Sequence, residues 1–367
     1  MMKGGLADAA FFRGFYVDND PSFDYESTTM SSSRERPFSA CVLGLDIGGT
    51  EVKAALVNSK GGVIAANRCP TPRTLAELRR SLRLLIAKFQ LNAKEIGAVG
   101  IGCKGIIDPE TTDVLALPGD LHYLEGRKLR ELIAPLVPIP CPVVADNDAR
   151  VALFGEYRWG VARGQKNAIM LTLGTGVGGA ILADGKILRG AGGVAGHLGH
   201  ITVLPDGPVC ICGNRGCLET LFSARAIEAE AFAAIHLGVK TSLLDSDSRP
   251  PNCDEVFECA RQGDKIACLI VERAVTILGG AIAGLVHAFD PEVVILGGQI
   301  TRAGHFLLDP LQREVDWRTR TLLHRRVPVV KAQVADPSGV VGAAALAIEA
   351  VTTASNTSTK RNTRSRE

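Results

Sequence analysis

The sequence Leu173-Gly174-Thr175-Gly176-Val177-Gly178-Gly179-Ala180 decides the fold of this chain. It follows an apolar run from Ala168 to Leu173 that predicts a buried strand. Its glycines predict a tight turn, because a backbone without Cβ atoms can take positive φ angles and approach a ligand closely. The N–H groups of such a turn can bind an anion, and a phosphate is the natural candidate. The alternative is a glycine-rich hairpin turn without a ligand.

A second stretch, Leu45-Asp46-Ile47-Gly48-Gly49-Thr50, repeats this pattern. It lies between two apolar runs, Cys41–Leu45 and Val52–Val57, and predicts a strand, a turn and a strand. Two such turns in different halves of the chain can hold one nucleotide from both sides. Asp46 is a candidate partner for Mg²⁺ or its waters, because Mg²⁺ favours oxygen ligands beside phosphates.

Length and charge limit the possible classes of protein. The chain has 367 residues, which is enough for two domains with separate cores. A net charge of +2 gives no electrostatic reason to expect nucleic acid or a membrane as a partner. The longest apolar segment, Ile270–Phe289, is interrupted by charged residues and glycines, so no membrane span is predicted.

Both ends of the chain are polar and irregular in sequence. Residues 1–37 lack the pattern of a secretory signal and are predicted to be a disordered extension, within which Met30 is an alternative start of translation. Residues 352–367 are rich in threonine, serine and basic side chains and are predicted to be a disordered tail.

Alternating strands and helices predict an α/β fold. The strand and glycine turn recur in both halves, which predicts two related lobes around a central cleft. The smaller N-terminal lobe is expected at 38–148, and the larger C-terminal lobe at 149–339. The small-residue helix Gly339–Ala350 follows the second lobe, and we expect residues 340–351 to pack back on the first.

The cysteines fall into two groups. Seven of the ten are scattered among apolar or helical stretches and are predicted to be buried thiols of a cytosolic protein. Cys210, Cys212 and Cys217 lie within eight residues, and His200 lies ten residues before the first of them. Zinc prefers four tetrahedral ligands from Cys and His, so loop 200–217 is predicted to hold a structural Cys₃His site. The alternative is a loop with free thiols.

Asp148 is a candidate proton acceptor. It lies between a predicted strand, Cys141–Ala145, and a predicted helix, Ala149–Trp159, and so at the carboxyl end of a sheet, where α/β proteins bind ligands. A carboxylate there can accept a proton from a hydroxyl nucleophile. From spacing alone, a helix N-cap is the alternative.

Taken together, these motifs resemble the ROK family of sugar kinases, repressors and open reading frames, within the sugar kinase/hexokinase/Hsp70/actin ATPase superfamily. The resemblance covers roughly residues 40–350, and it implies two actin-like ATPase (ribonuclease H-like) lobes around the cleft. The cysteine motif with its upstream histidine is specific to the family. The motifs occur in the order Asp46–Thr50, Asn147-Asp148, Gly174–Gly179, His200, the Cys-x-Cys-Gly-x-x-Gly-Cys-Leu-Glu run ending at Glu219, and Gly297-Gly298.

The resemblance implies a role for each motif. Asp148 becomes the general base that takes the proton from a sugar hydroxyl, and His200 ligates zinc through one nitrogen and touches the sugar through the other. The implied sugar contacts are Gly105, Asn147, His197, His200 and Glu219. The implied ATP phosphate contacts are Gly48, Gly49, Thr50, Gly174, Thr175 and Gly176, with Gly297 and Gly298 beside the adenosine.

The chain departs from the family pattern at three positions. Lys104 stands where the family often has Pro before Gly105, and Arg150 stands where an Asn often follows the catalytic Asp by two. Two explanations remain open for Lys104 and Arg150. One is neutral drift on a solvated surface, and the other is a changed contact with the substrate or phosphate. His197 stands where the family usually has Glu, in the pattern Glu-x-Gly-His.

The change at His197 alters hydrogen bonding. In family kinases the glutamate accepts hydrogen bonds at the anomeric edge of the sugar, whereas a neutral histidine offers one donor and one acceptor. We expect His197 to face the sugar and to shift specificity away from plain glucose. A second metal ligand and a satisfied polar residue without a ligand contact are the alternatives.

The sequence predicts an ATP-dependent hexose kinase, glucokinase-like or an N-acetylhexosamine kinase, with ATP, Mg²⁺ and Zn²⁺ as cofactors. The alternative is a sugar-sensing regulatory protein without kinase activity, which Asp148 and both phosphate turns argue against. Residues 1–39 are too short and irregular for the helix-turn-helix of family repressors. We expect a cytoplasmic homo-oligomer, a dimer or tetramer, with no nucleic-acid or membrane partner.

Overall fold

The structure is a computed structural model, and it describes residues 41–90, 96–137, 141–244, 249–334 and 338–364. The expected N-terminal extension, residues 1–37, lies outside the described residues.

Strands and helices alternate along the described chain. In order they are β1 (Cys41–Ile47), β2 (Glu51–Val57), β3 (Val63–Pro70), α1 (Leu75–Ala87), β4 (Ile96–Cys103), β5 (Ile106–Ile107), β6 (Val114–Ala116), α2 (Leu129–Ile133), β7 (Val143–Asn147), α3 (Asp148–Trp159), β8 (Ala168–Leu173), β9 (Val177–Ala183), β10 (Lys186–Ile187), α4 (Leu218–Leu221), α5 (Ala224–His236), α6 (Cys253–Arg261), α7 (Lys265–Phe289), β11 (Val293–Gly297), α8 (His305–Thr319), β12 (Val329–Lys331) and α9 (Ser338–Arg364).

Two five-stranded sheets share one topology. The first has the order β3-β2-β1-β4-β7 and the second the order β10-β9-β8-β11-β12. In each sheet the first three strands along the chain are antiparallel neighbours, and the last two join in parallel. This repetition confirms the prediction of an α/β fold with two related lobes.

Each lobe has its own hydrophobic core. Leu43 of β1 and Leu78 of α1 are fully buried in the first core, and Leu171 of β8 and Leu278 of α7 are fully buried in the second. The central strands are apolar along most of their length because helices cover both faces of a sheet of this kind.

Helix α9 lies directly on the first sheet. A Cβ atom added at Gly44 would lie 2.0 Å from the carbonyl oxygen of Val340, and one at Gly100 would lie 1.7 Å from that of Ala343. Glycine on β1 and β4 therefore lets the helix backbone touch the sheet. Gly342 on the opposite side of α9 makes a similar close approach to the backbone of α3.

The end of α9 differs from the expectation. The helix continues to Arg364, whereas the sequence predicted a disordered tail from residue 352. Extending an existing helix costs far less than starting one, so the packed first turns of α9 can carry polar residues with them.

Helix α7 is the central helix of the second lobe. By length and composition alone it is apolar enough to cross a membrane, whereas the sequence predicted no membrane span. However, 56% of its most apolar 18-residue stretch is buried inside the fold, where α5, α6 and α8 pack against it. Its apolar character is therefore explained by its place in the core.

Four elements of the second lobe were not predicted from the sequence. They are the short edge strands β10 and β12, the short helix α4 and the helix α8, which contains Pro310. Proline removes one helical hydrogen bond and normally argues against a helix interior. Burial of Leu307, Leu311 and Val315 on one face of α8 offsets that loss.

We expect Gly100→Ala to destabilise the fold by at least about 1–3 kcal/mol, because the added methyl group overlaps the backbone of α9. The matched control is Gly284→Ala within α7, where a Cβ atom meets no neighbour. It should leave stability unchanged or raise it by up to about 1 kcal/mol. Urea unfolding of both variants measures the difference, and equal effects would contradict the close contact of α9 with β4.

Candidate active site

A cleft of about 1310 Å³ contains most of the predicted site residues. Its wall includes side chains and turns from both lobes. The predicted residues that line it are Gly49, Thr50, Gly105, Asn147, Asp148, Gly174, Thr175, Gly176, His197, His200, Cys212, Glu219 and Gly298. Those that do not line it are Asp46, Gly48, Cys210, Cys217 and Gly297.

The carboxyl ends of parallel strands bring the first set of groups together. Pairing of β1, β4 and β7 places Asp46, Gly102 and Asp146 side by side at one edge of the sheet. The carboxylate of Asp46 lies against Gly339 in the first turn of α9, where a Cβ atom would be 2.4 Å from its Oδ2. A negative charge is favourable at a helix N-terminus.

Asn147 fixes the start of α3. Its side-chain oxygen accepts hydrogen bonds from the N–H groups of Ala149 at 3.0 Å and Arg150 at 3.3 Å. Its side-chain nitrogen donates to the carbonyl oxygen of Gly105 at 3.0 Å. Asn147 is therefore the N-cap, and the alternative that Asp148 caps the helix is wrong.

Asp148 is the first residue of α3 and is half-buried in the cleft wall. Burial raises the pKa of its carboxyl group, although a hydrogen bond from the Ala149 N–H at 2.9 Å and the positive charge of Lys104 act against that rise. A carboxylate with a raised pKa is a stronger proton acceptor.

The turn after β8 is closed by its own backbone and by Glu219. The N–H of Gly174 donates to the carbonyl of Gly176 at 3.0 Å, and the N–H of Val177 donates to Glu219 Oε2 at 2.9 Å. A Cβ atom at Gly176 would lie 2.2 Å from that same oxygen. Glycine at this position makes room for the carboxylate.

Positive φ angles were expected for the turn after β8, but neither glycine turn contains them at these positions. Gly48, Gly49, Gly174 and Gly176 all lie outside the left-handed region. At Gly176 the requirement is close packing against Glu219, whereas a Cβ atom at Gly174 would meet no neighbour. By contrast, Gly298 after β11 does have a φ of 87°, and a Cβ atom there would lie 2.3 Å from the carbonyl oxygen of Leu173.

Four candidate metal ligands form one cluster, in which the ligand atoms of His200, Cys210, Cys212 and Cys217 all lie within 4.8 Å of one another. The sulfur of Cys210 lies 3.5 Å from Nδ1 of His200, and the sulfurs of Cys212 and Cys217 lie 3.6 Å apart. A tetrahedron with bonds of about 2.3 Å has edges of about 3.8 Å, so these separations suit zinc.

His197 lines the cleft and carries a hydrogen-bond acceptor that is not used within the described residues. Its Nδ1–H donates to the carbonyl oxygen of Val194 at 2.9 Å, which leaves a lone pair on Nε2. That nitrogen is buried and has no hydrogen-bond partner among the described residues. Burial lowers the pKa of His197, and the positive charge of Arg150 lowers it further, so the ring is neutral near pH 7.

The two other departures from the family pattern have different surroundings. Lys104 is exposed and lines the cleft. Arg150 is only 1% exposed and binds Asp146, so the alternative of a solvated surface position is wrong for Arg150.

One pair of groups across the cleft was missed by sequence reasoning. Arg225 at the start of α5 and Asp120 of the first lobe both line the wall, and their charged atoms lie 3.9 Å apart. Both side chains are more than half exposed, so the pair adds little stability. Nothing in the local sequence of either residue indicates a partner more than a hundred positions away.

The chain is similar to known proteins over most of its length. A family model described as the ROK family matches residues 42–350. The glucokinase of Thermotoga maritima is 34% identical over 321 residues, which cover 84% of this chain and 98% of that protein. The N-acetylmannosamine kinase of Yersinia pseudotuberculosis is 35% identical over 305 residues, which cover 82% and 96%.

A solved structure shows the same similarity. It is a ROK family glucokinase from Streptomyces griseus in complex with glucose and AMPPNP. The two chains share 33% identity with a TM-score of 0.74, and the alignment covers 84% of this chain and all of the other.

Proposed function

The chain belongs to the ROK family, and from its cleft we propose that it is an ATP-dependent kinase that phosphorylates a hexose hydroxyl. The observation that carries the proposal is that a half-buried carboxylate, Asp148, shares one cleft with glycine turns from both lobes. The glucokinase and N-acetylmannosamine kinase relatives favour glucose or an N-acetylated hexosamine as the substrate.

Asp148 is the proposed general base. Its carboxylate takes the proton of the attacking hydroxyl while that oxygen bonds to the γ-phosphorus of ATP and the bond to the β-phosphate oxygen breaks. The raised pKa of Asp148 suits this transfer. The cleft walls hold both substrates in line and keep out water, which otherwise competes as the nucleophile.

The glycine turns are the proposed ATP contacts. Gly48–Thr50 follows β1 and Gly174–Gly176 follows β8, so each turn lies at the carboxyl edge of its own sheet. The N–H groups of Gly48 and Gly174 close the turns, so the following residues of each turn offer the proposed backbone donors. Gly297 and Gly298 are assigned to the adenosine side. Mg²⁺ bound with ATP neutralises phosphate charge, and Asp46 at the end of β1 remains the proposed partner of its waters.

The proposed sugar contacts are groups whose hydrogen-bonding capacity is only partly used. Glu219 receives the Val177 N–H on Oε2, so Oε1 can accept from a sugar hydroxyl. The amide nitrogen of Asn147 donates to Gly105 and has a second hydrogen. His200 turns Nδ1 toward the thiols and also lines the cleft, which leaves Nε2 for the sugar.

Zinc is the proposed occupant of the cluster formed by His200 and the three cysteines. The donor set and the distances between sulfur and nitrogen atoms fit a closed tetrahedral site. Such a site would hold the loop that carries His200 beside the sugar and would take no part in the chemistry.

A sugar-sensing protein without kinase activity is less favoured, because Asp148 and both turns are present in the cleft. Measuring ADP release over a panel of hexoses and N-acetylhexosamines tests the proposal directly. Sugar binding without any sugar-dependent ADP release would contradict it. We further propose a cytoplasmic homo-oligomer, which sedimentation and fractionation can test.

We expect Cys212→Ala to lose zinc and to lower the melting temperature, because three ligands hold the metal less tightly than four. Metal analysis and thermal unfolding, with and without a chelator, provide the measurement. The control Cys141→Ala removes a partly buried thiol outside the cluster and should retain one zinc per chain. Folded wild-type protein without zinc would contradict the assignment.

We expect Asp148→Asn to reduce kcat by roughly two to four orders of magnitude while sugar affinity changes little, since an amide cannot accept the proton. Steady-state kinetics and sugar binding by calorimetry measure the two effects. Asp184→Asn is the control, because it alters a turn residue with a φ of 50° that asparagine also tolerates. Near-normal turnover of Asp148→Asn would rule out the general base.

We expect His197→Glu to raise kcat/KM for glucose by roughly one to two orders of magnitude, because a carboxylate accepts a stronger hydrogen bond than a neutral imidazole. The control His305→Glu changes an exposed histidine outside the cleft wall. If glucose is already the best substrate of the wild type and the substitution brings no gain, His197 does not set specificity.

A further inference from the structure

A cluster of three charged side chains, two of them buried, lies behind the loop that carries His197. Asp146 at the end of β7 binds two arginines, Arg150 of α3 and Arg189 of the second lobe. Oδ1 is 3.2 Å from Nη1 of Arg150, while Oδ2 accepts from Nε of Arg189 at 2.9 Å and from Nη2 at 2.7 Å. The side chain of Asp146 is 2% exposed and that of Arg150 is 1% exposed.

Burying an arginine is costly unless its donors find partners. Nη2 of Arg150 finds partners by donating to the carbonyl oxygens of Gly193 and Ala195, the latter at 2.7 Å, whereas its buried Nε has no partner among the described residues. These two carbonyls belong to the loop that leads to His197. Asp146 orients the guanidinium, and the guanidinium holds the loop.

The backbone carbonyl of Val194 orients the ring of His197. Val194 lies between Gly193 and Ala195, and its own carbonyl accepts the Nδ1–H of His197 at 2.9 Å. A continuous set of hydrogen bonds therefore runs from Asp146 through Arg150 and the loop backbone to the imidazole ring. Its last member is Nε2 of His197, which is buried without a partner.

The loop needs such an anchor because its own sequence is flexible. Gly190, Gly193 and Gly196 have φ angles of 72°, 73° and 92°, which glycine adopts easily but at a high entropic cost on ordering. The side chain of Val194 is exposed, so it adds no burial to hold the segment in place.

We infer that Arg150 is a positioning residue for sugar binding, which holds the loop 193–197 so that His197 presents Nε2 to the sugar beside Asp148. The inference rests on the proposed contact between His197 and the sugar. Because Asp146 lies two residues before Asp148, the same β7–α3 junction sets the places of the base and of the acceptor. An asparagine side chain at position 150 would be too short to bind Asp146 and the carbonyl oxygens of Gly193 and Ala195 together.

The test uses Arg150→Lys in the full-length protein. Lysine keeps the charge beside Asp146 but cannot reach Asp146 and both carbonyls at once. We expect KM for the best sugar of the panel to rise about tenfold or more, with kcat and KM for ATP within about twofold of wild type, because only a ground-state sugar contact is displaced. Unchanged KM for the sugar would overturn the inference.

The matched control is Arg130→Lys. Arg130 also donates to backbone carbonyls, those of Val143 and Glu110, but it does not line the cleft. Its substitution should leave all three kinetic constants within about twofold of wild type. An equal rise in KM for the sugar would show a general loss of structure and would overturn the inference.

A double-mutant cycle with His197→Ala separates this inference from the proposed function. If Arg150 acts through His197, Arg150→Lys should change KM for the sugar by less than about twofold once the imidazole is gone. The same tenfold rise in both backgrounds would overturn the inference alone. If His197→Ala leaves KM for the sugar unchanged, the proposed sugar contact fails and the inference fails with it.

Amide hydrogen exchange of the wild type tests the anchor without any variant. The N–H of Ala195 donates to the carbonyl of Arg189 at 3.1 Å, and that of His197 donates to Val194 at 3.2 Å. An anchored loop should protect both amides at least a hundredfold in the absence of sugar, which corresponds to about 2.7 kcal/mol of local stability. Exchange at the rate of an unstructured segment would overturn the inference, even if Arg150→Lys fails to fold.

Discussion

Three hydrogen bonds of the Asn147 side chain hold the junction between β7 and α3, and the rest of the site depends on them. Two of the bonds cap α3, and the third fastens the loop at Gly105. With this junction fixed, Asp148 turns into the cleft while Asp146 turns toward the loop of the second lobe. The segment Asp146–Asp148 therefore positions both the proposed base and the carboxylate that binds Arg150, which holds the loop 193–197.

The two sheets give the site its symmetry. Each has the same strand order, and each ends its central strand in a glycine turn that faces the cleft, so one nucleotide can be held by equivalent backbone groups from both lobes. At Gly176, closeness to the Glu219 carboxylate and not an unusual backbone angle explains the glycine. The same requirement recurs where α9 touches the first sheet at Gly44 and Gly100.

Two of the three departures from the family pattern are linked in the structure. Arg150 holds the backbone on either side of Val194, and Val194 orients His197. Relative to the family pattern, histidine at position 197 removes a negative charge from the proposed sugar site. Arginine at position 150 adds a positive charge behind the loop, so both exchanges change the charge in the same direction. Burial and the charge of Arg150 both lower the pKa of His197, which favours the neutral imidazole that the proposed sugar contact needs.

The sequence by itself determined the features that depend on neighbouring residues. Apolar periodicity and turn residues predicted the central strands, most of the long helices and the two-lobed α/β fold, and close spacing grouped Cys210, Cys212 and Cys217. Only the tertiary structure decided that Asn147 is the cap, that Gly176 makes room for Glu219, and that Arg150 reaches the loop at Gly193. It also decided that α8 forms despite Pro310, because burial of one face outweighs a missing hydrogen bond. The physical reason is the separation along the chain over which each interaction acts. Periodicity and capping involve residues a few positions apart, whereas a contact between residues 43 positions apart leaves no repeating pattern in the sequence.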